Sequence, residues 1–337
     1  MSQKEYERAL LQRLAAGPVN GDALAQEEGL TRAAVWKRIE QLRQAGVAIE
    51  AVAGRGYRLA QSLDLLNVSA IQAQLSAPAG AQIASLDVLW SVDSTNSELL
   101  RRAVPSRGCA VLLAERQTAG RGRRGRNWVS PLAAHLYLSL ARSFDGGLAR
   151  LGGLSLAIGV AACEALRALG VDRAQLKWPN DLVVVSADGL SKLGGLLIEG
   201  GGEIAGNSRA VIGLGLNVAM PPNAAEDIDQ AWSELAALLP APRSRNALVA
   251  TLLDHAVPAL DLFDQQGLAP FLPRYAVLDA LAGRMLDVHA ASGVWQAQAL
   301  GIAEDGALRV RDSEGVERLV HAGDISVRCA KNEKAAR

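Results

Sequence analysis

An α+β protein of three domains is expected from three observations. The first sixty residues read as short helices closed by a hairpin. Residues 83–217 alternate apolar strand-like runs with helices, and residues 284–328 hold strand runs only. At 337 residues, half of them hydrophobic, the chain is long enough for each unit to own a core. The expected boundaries are 1–62, 67–280 and 281–330.

Leu10, Leu11 and Leu14 stand at helical spacing, and Gly17-Pro18 stops that helix. Ala23, Leu24 and Ala25 give a second short helix its apolar face. Gly29 then turns the chain and Thr31 caps a third helix running to about residue 45. On this third helix Ala34, Val35, Ile39 and Leu42 share one face, while Arg32, Lys37, Arg38 and Arg43 decorate the rest. Trp36 is expected to pack inward. Runs 47–53 and 57–60 pair around Gly54-Arg55-Gly56. Helix, tight turn, helix and hairpin together make a winged helix-turn-helix. Residues 1–30 carry three basic and five acidic side chains, whereas 31–58 carry six basic and two acidic. A protein-docking module is the bland alternative, but this asymmetry favours DNA. Arg32, Lys37 and Arg38 would face the major groove and Arg55 in the wing an adjacent phosphate, with the cap Thr31 counted in the same DNA-binding set.

Residues 61–66 read as a linker, and Ser69 caps a short helix to about 75. The next domain then sets out a strand at 83–91, a helix at 94–103 and strands at 109–114 and 135–142. The strongly apolar run 148–169 reads as one central helix. Strands near 176 and at 182–185, 193–199 and 210–217 follow after short turns, so pairing is expected to be largely antiparallel, with helices on one face of a mixed sheet. The closing strand runs, 284–290, 294–302, 307–310, 317–321 and 325–328, turn at Gly293 and Asp305-Gly306 and suggest a small β-barrel.

Composition excludes several classes. Thirty-five basic residues balance thirty-five acidic ones, so nucleic-acid contact must be local. Cys109, Cys163 and Cys329 are far apart, and His135, His255, His289 and His321 show no ligand spacing. No structural metal is expected. Residues 1–8 lack the apolar core of a leader, and no uninterrupted apolar stretch of membrane-spanning length is apparent, which points to the cytoplasm.

Residues 120–126, Gly-Arg-Gly-Arg-Arg-Gly-Arg, match G-x-G-x-x-G through Gly120, Gly122 and Gly125. A dinucleotide turn needs small residues between its glycines and a helix behind them. Here arginines fill those places and a strand follows. Guanidinium forks match phosphate oxygens. The loop therefore meets nucleic acid or closes over a phosphate-bearing small molecule, unless it is merely solvated. Asp93-Ser94-Thr95-Asn96, Lys177-Trp178-Pro179-Asn180-Asp181 and Lys192-Leu193-Gly194-Gly195 sit where strands hand over to loops, the usual place to display functional groups.

These motifs in this order, with Gln117, Trp128 and Ser130-Pro131, resemble the biotin protein ligases over nearly the whole chain. With the winged helix in front, the chain is similar to the bifunctional members that also repress biotin synthesis genes. The resemblance implies that biotin and ATP with Mg2+ form biotinyl-5′-AMP and pyrophosphate. A lysine of the biotin carboxyl carrier protein of acetyl-CoA carboxylase then takes the biotinyl group. No tightly bound prosthetic group is implied. Lys192, Arg123 and Asp181 become the catalytic set. Ser94, Thr95, Asn96, Gln117, Gly120, Arg121, Gly122, Arg123, Trp128, Lys192 and Gly194 would hold biotin. Arg121, Arg123, Arg126, Lys177, Asn180, Asp181, Asn217 and Trp232 would hold the nucleotide. The resemblance also implies an SH3-like carboxy-terminal domain, operator DNA as a partner and a homodimer when adenylate is bound. A ligase without repression, a non-catalytic ligand-sensing transcription factor and a lipoate-type ligase are the alternatives.

Overall fold

The structure is a computed structural model and describes residues 3–60, 63–145, 147–187, 189–202, 208–225, 228–290, 293–323 and 326–329. Gln61 and Ser62 of the expected linker lie outside that set, as does Ile325, the expected start of the last strand.

Helices α1 (Gln3–Ala16), α2 (Gly21–Glu27) and α3 (Arg32–Gln44) precede a hairpin of β1 (Ile49–Val52) and β2 (Gly56–Leu59). Asn20 caps α2 by accepting from the Asp22 and Ala23 amides, and Thr31 caps α3 by accepting from Ala34. Tyr57 and Val19 exchange two backbone hydrogen bonds, which tie the wing to the α1–α2 corner. Gly56 is needed there. At φ +90° any Cβ would lie 2.2 Å from the Val19 carbonyl oxygen. Leu11, Leu24, Val35, Ile39 and Leu42 form the core, joined by Leu132 and Ala133 from far along the chain. The Leu132 amide donates to the Ala45 carbonyl, and a Cβ on Gly46 would come within 2.8 Å of Pro131 and 3.6 Å of Pro221.

Trp36 corrects the sequence reading. The inward stripe runs through Val35, Ile39 and Leu42, so the next position faces out, and Trp36 is 55% exposed. Arg38 instead turns inward, its guanidinium 3.4 Å from the centre of the Tyr6 ring.

The next elements are α4 (Val68–Gln72), α5 (Ala77–Gly80), β3 (Ile83–Leu89), α6 (Thr95–Arg101), β4 (Cys109–Ala114), β5 (Leu136–Phe144) and α7 (Leu154–Ala168). They are followed by β6 (Ala174–Lys177), β7 (Asp181–Ser186), β8 (Gly189–Gly202), β9 (Ser208–Leu216), α8 (Pro222–Ala225), α9 (Arg245–Gln266) and α10 (Leu272–Leu278). The sheet order is β3-β4-β5-β9-β8-β7-β6, with β3 and β4 parallel and every other neighbouring pair antiparallel.

Three expectations change here. The run 148–169 is not one helix: a 3-10 turn, Leu148–Leu151, precedes α7, because Gly153 turns at φ +80° against the Leu268 side chain. Segment Leu148–Ala168 is long and apolar enough to cross a membrane by length and composition, though Arg150, Glu164 and Arg167 interrupt it, and α7 packs into the core beside α9. Helices also cover both faces of the sheet. Each residue of β4 is buried; Val111 and Leu113 join the α7/α9 core, while Ala110 and Leu112 meet Leu99 of α6 on the other side. Helix α9 was not anticipated at all. Its buried positions occupy most of its circumference and leave no clean stripe.

Strands β10 (Met285–Ala290), β11 (Gly293–Ile302), β12 (Leu308–Asp312), β13 (Glu317–Val320) and β14 (Ser326–Cys329) form an antiparallel sheet in the order β13-β12-β11-β10-β14. Among the described residues the edges β13 and β14 do not pair, so the sheet is open where a closed barrel was expected. Its apolar face continues the central core through Leu286, Val288 and Val310, and the Trp178 indole donates to the Gly306 carbonyl at 3.0 Å. Cys109 and Cys163 are buried in that core, and burial pushes their thiols up to about 11 and about 12.

Candidate ligand-binding site

A cavity of about 740 Å³ opens between the central sheet, loop 120–128, the segment 228–232 and strand β14 at Val327 and Arg328. That volume suits a ligand well above fragment size. Of the small-molecule set expected from sequence, Ser94, Thr95, Asn96, Gln117, Arg121, Gly122, Arg123, Arg126, Trp128, Lys177, Asn180, Asp181, Lys192, Asn217 and Trp232 all line it. Gly120 and Gly194 stand behind the lining, where backbone crowds them. A Cβ on Gly120 would lie 2.6 Å from the Trp128 carbonyl, and one on Gly194 2.7 Å from that of Gly215.

One wall is neutral and polar. The Ser94 side chain caps α6 by accepting from the Ser97 amide, and Arg101 holds the neighbouring Asp93 carboxyl well below the usual range. The Thr95 amide donates to Gln117 Oε1 at 2.9 Å, and Gln117 Nε2 donates to Ser130 Oγ. The Ser139 hydroxyl lies 2.7 Å from both Thr95 Oγ1 and Asn96 Oδ1. Asn96 Nδ2 donates to the Leu197 carbonyl and to Glu199 Oε2. Such a chain fixes donors and acceptors in advance, which suits a small polar head group. Two glycines of β9 make room. A Cβ on Gly213 would sit 2.5 Å from Asn96 Oδ1, and one on Gly215 2.5 Å from the Trp128 ring. Among the described residues the buried Trp128 indole N–H, within this lining, has no hydrogen-bond partner.

The opposite wall is charged. Lys192 Nζ lies 2.7 Å from Asp181 Oδ1 and 5.5 Å from the centre of the Trp128 ring. The Lys192 amide donates to the Ala231 carbonyl and its carbonyl accepts from Ser233, so the segment bearing Trp232 runs alongside. Loop 120–126 folds back on itself: the Trp128 amide donates to Gly120 and the Gly122 amide to Arg126, with Arg124 and Gly125 both at positive φ. Arg123 donates to Asn180 Oδ1 at 3.3 Å and to the Ala322 carbonyl. Burial acts most against its charged form, Arg124 adds repulsion and Asp181 opposes both. Arg121 pairs with Glu199, and Arg126 is exposed.

Sequence reasoning missed Glu199 and Ser139 as site groups. Each is a lone polar residue beside apolar ones, and that interruption was the available signal. It also missed a buried cluster below the site. Arg245 Nη1 donates to Glu115 at 2.7 Å and to the Asp64 carbonyl, and Nη2 donates to the His135 carbonyl. The Leu66 amide donates to Glu115, and Asn246 holds Leu65 and Asn67, so the segment entering the central domain is clamped. Burial and Arg245 together pull His135 down to about 4.

The expected DNA set lies apart from this cavity. Thr31, Arg32, Lys37 and Arg55 are exposed on α3 and the wing tip, while Arg38 is held over Tyr6.

Three family models match the chain: the biotin/lipoate A/B protein ligase family over residues 90–217, an HTH domain over 7–58 and the biotin protein ligase C terminal domain over 290–328. The bifunctional ligase/repressor BirA of Escherichia coli is 38% identical over 312 residues, 93% of this chain and 94% of that protein. Its namesake in Bacillus subtilis is 28% identical over 92% of this chain and 94% of that protein. Among solved structures, the biotin protein ligase of Aquifex aeolicus in complex with biotin and ATP shares the fold, with a TM-score of 0.61 at 24% identity over 74% of this chain and all of that one.

Proposed function

The chain belongs to the biotin protein ligase family, and from that premise we propose that its cavity joins biotin to ATP and passes the biotinyl group to a protein lysine. The biotin carboxylate attacks the α-phosphate, an O–P bond forms, the bond to the β-phosphate breaks and pyrophosphate leaves. The carrier amine then attacks the acyl carbonyl and AMP leaves. One observation carries this reading. Lys192 lines one cavity together with a preset neutral wall and an arginine loop, where its cation would stand within reach of two anions that repel each other.

Thr95, Asn96 and Gln117, with Ser94 capping the helix beneath them, would receive the ureido head. Trp128 would lie over its rings, with Gly122 in the lining and Gly120 and Gly194 behind it letting the loop and strand backbones close up around biotin. Arg121, Arg123, Arg126, Lys177 and Asn180 would meet the phosphates, and Asn217 and Trp232 the rest of the nucleotide. Asp181 would orient Lys192. Magnesium would enter on the triphosphate.

The amino-terminal unit makes the protein a repressor of biotin genes as well as a ligase. Exposed Thr31, Arg32, Lys37 and Arg55 support DNA contact, with biotinyl-5′-AMP as corepressor and an adenylate-bound homodimer as the binding form. The proposed domains remain 1–62, 67–280 and 281–330, the last an SH3-like module that helps to receive the carrier of acetyl-CoA carboxylase in the cytoplasm. Transfer of labelled biotin to a carrier domain tests the ligase. Absence of transfer with biotin, MgATP and carrier present defeats it. Footprinting with and without biotinyl-adenylate tests repression, and identical protection in both defeats the corepressor role.

A further inference from the structure

Glu199 touches both walls of the cavity at once. Its Oε2 accepts from Asn96 Nδ2 at 2.9 Å, and both of its carboxylate oxygens lie 2.9 Å from one Arg121 guanidinium nitrogen. Asn96 is buried and pressed against Gly213, so its amide has little room to turn. Arg121 belongs to the glycine-punctuated loop, and its side chain is 44% exposed. One carboxylate on β8 therefore holds a rigid group of the neutral wall and a movable group of the charged wall.

We infer that Glu199 is a positioning residue that orients Asn96 for the biotin head and parks Arg121 away from the triphosphate until phosphate displaces it. The inference rests on the biotin and ATP reading of the cavity. A phosphate and a carboxylate compete for the same guanidinium donors, and only one of them can hold that nitrogen fully. The exchange is feasible because a half-exposed ion pair is weak. Asn96 keeps its place during the exchange, since its Nδ2 is also held by the Leu197 carbonyl. Parking has a cost that appears only in ATP binding. Orientation of Asn96 appears only in biotin binding.

The two roles separate in Glu199→Gln, whose amide oxygen can still accept from Asn96 while the charge that holds Arg121 is gone. Isothermal titration of MgATP without biotin is expected to show tighter binding than wild type by roughly 2- to 5-fold, the weight of one exposed ion pair. Biotin affinity is expected to stay within about twofold. In an Arg121→Gln background the same substitution is expected to leave ATP affinity unchanged, which assigns the gain to the pair. Glu199→Asp, too short to reach both partners, serves as the second variant and is expected to move ATP affinity in the same direction. ATP affinity that is unchanged or weaker in both folded variants overturns the inference, as does an equal shift in the Arg121→Gln background. Biotin-dependent pyrophosphate release by the wild-type protein is measured alongside. Its absence defeats the ligase reading itself, whereas its presence with unshifted ATP affinity defeats only the role of Glu199.

Discussion

Lys192 and Arg123 ask different things of the same reaction. If Lys192 steadies both anions as the O–P bond forms, Lys192→Ala slows biotin-dependent pyrophosphate release by roughly 100- to 1000-fold, the usual loss of one preorganised charge-stabilising donor. Near-normal release would remove Lys192 from contact with the reactants. Arg123 sits at the rim, tied to Asn180 and Ala322. Its truncation is expected to act on retention. Arg123→Gly should raise free biotinyl-adenylate in a quench assay by roughly 10- to 100-fold, the weight of a charge-assisted hydrogen bond. Unchanged retention would sink that role. Both residues were legible in the sequence because a cation between two strands, or on a glycine-rich loop, has no core position to occupy. Glu199 and Ser139 were not. Their strands pair through β5, β9 and β8, and only that register brings residues 43 and 103 positions downstream of Asn96 against it.

At the scale of elements, legibility followed periodicity. Strands β4, β5 and β7 to β9 were found within a few residues of their observed ends, as were α3 and the wing, because each keeps a clear period or a cap. Helix α9 hides its own: it is buried on most sides and carries Pro258. Its first turn also supplies Arg245, whose side chain is 4% exposed beside a Glu115 at 3%. Breaking such a pair strands a charge in the core. Arg245→Leu is expected to cost about 3–5 kcal/mol in a denaturant melt, and Arg245→Met with Glu115→Gln to recover much of it. A single variant as stable as wild type would show that the clamp on the incoming segment has little weight.

At the scale of the whole molecule the three expected units, with one linker expected at 61–66, meet through shared packing: the amino-terminal core takes in Leu132 and Ala133, and the carboxy-terminal sheet shares one core with the central domain. Linker composition marks where the chain is polar, not which surfaces meet. His135, beside the Arg245 clamp, makes this junction sensitive to acid. Its Nδ1 must accept from the Val218 amide at 3.1 Å, so the folded protein keeps the ring neutral. The folded value near 4 lies below the unfolded value near 6.5. The unfolded chain therefore takes the proton first, and stability complete above about pH 6.5 is lost as pH falls toward 4, by up to about 3 kcal/mol. His135→Asn, which retains an acceptor for Val218, is expected to flatten that slope in melts between pH 7 and 4. An unaltered slope would place the acid sensitivity elsewhere.

The corner at Gly46 has a consequence for genetics. It abuts Pro131, at the end of the arginine loop, and Pro221, at the start of the segment that carries Trp232. No spacer insulates one task from the other. A screen for derepressed alleles at that corner is therefore expected to return strains that also grow poorly on limiting biotin, and suppressors of the growth defect should map to the two prolines.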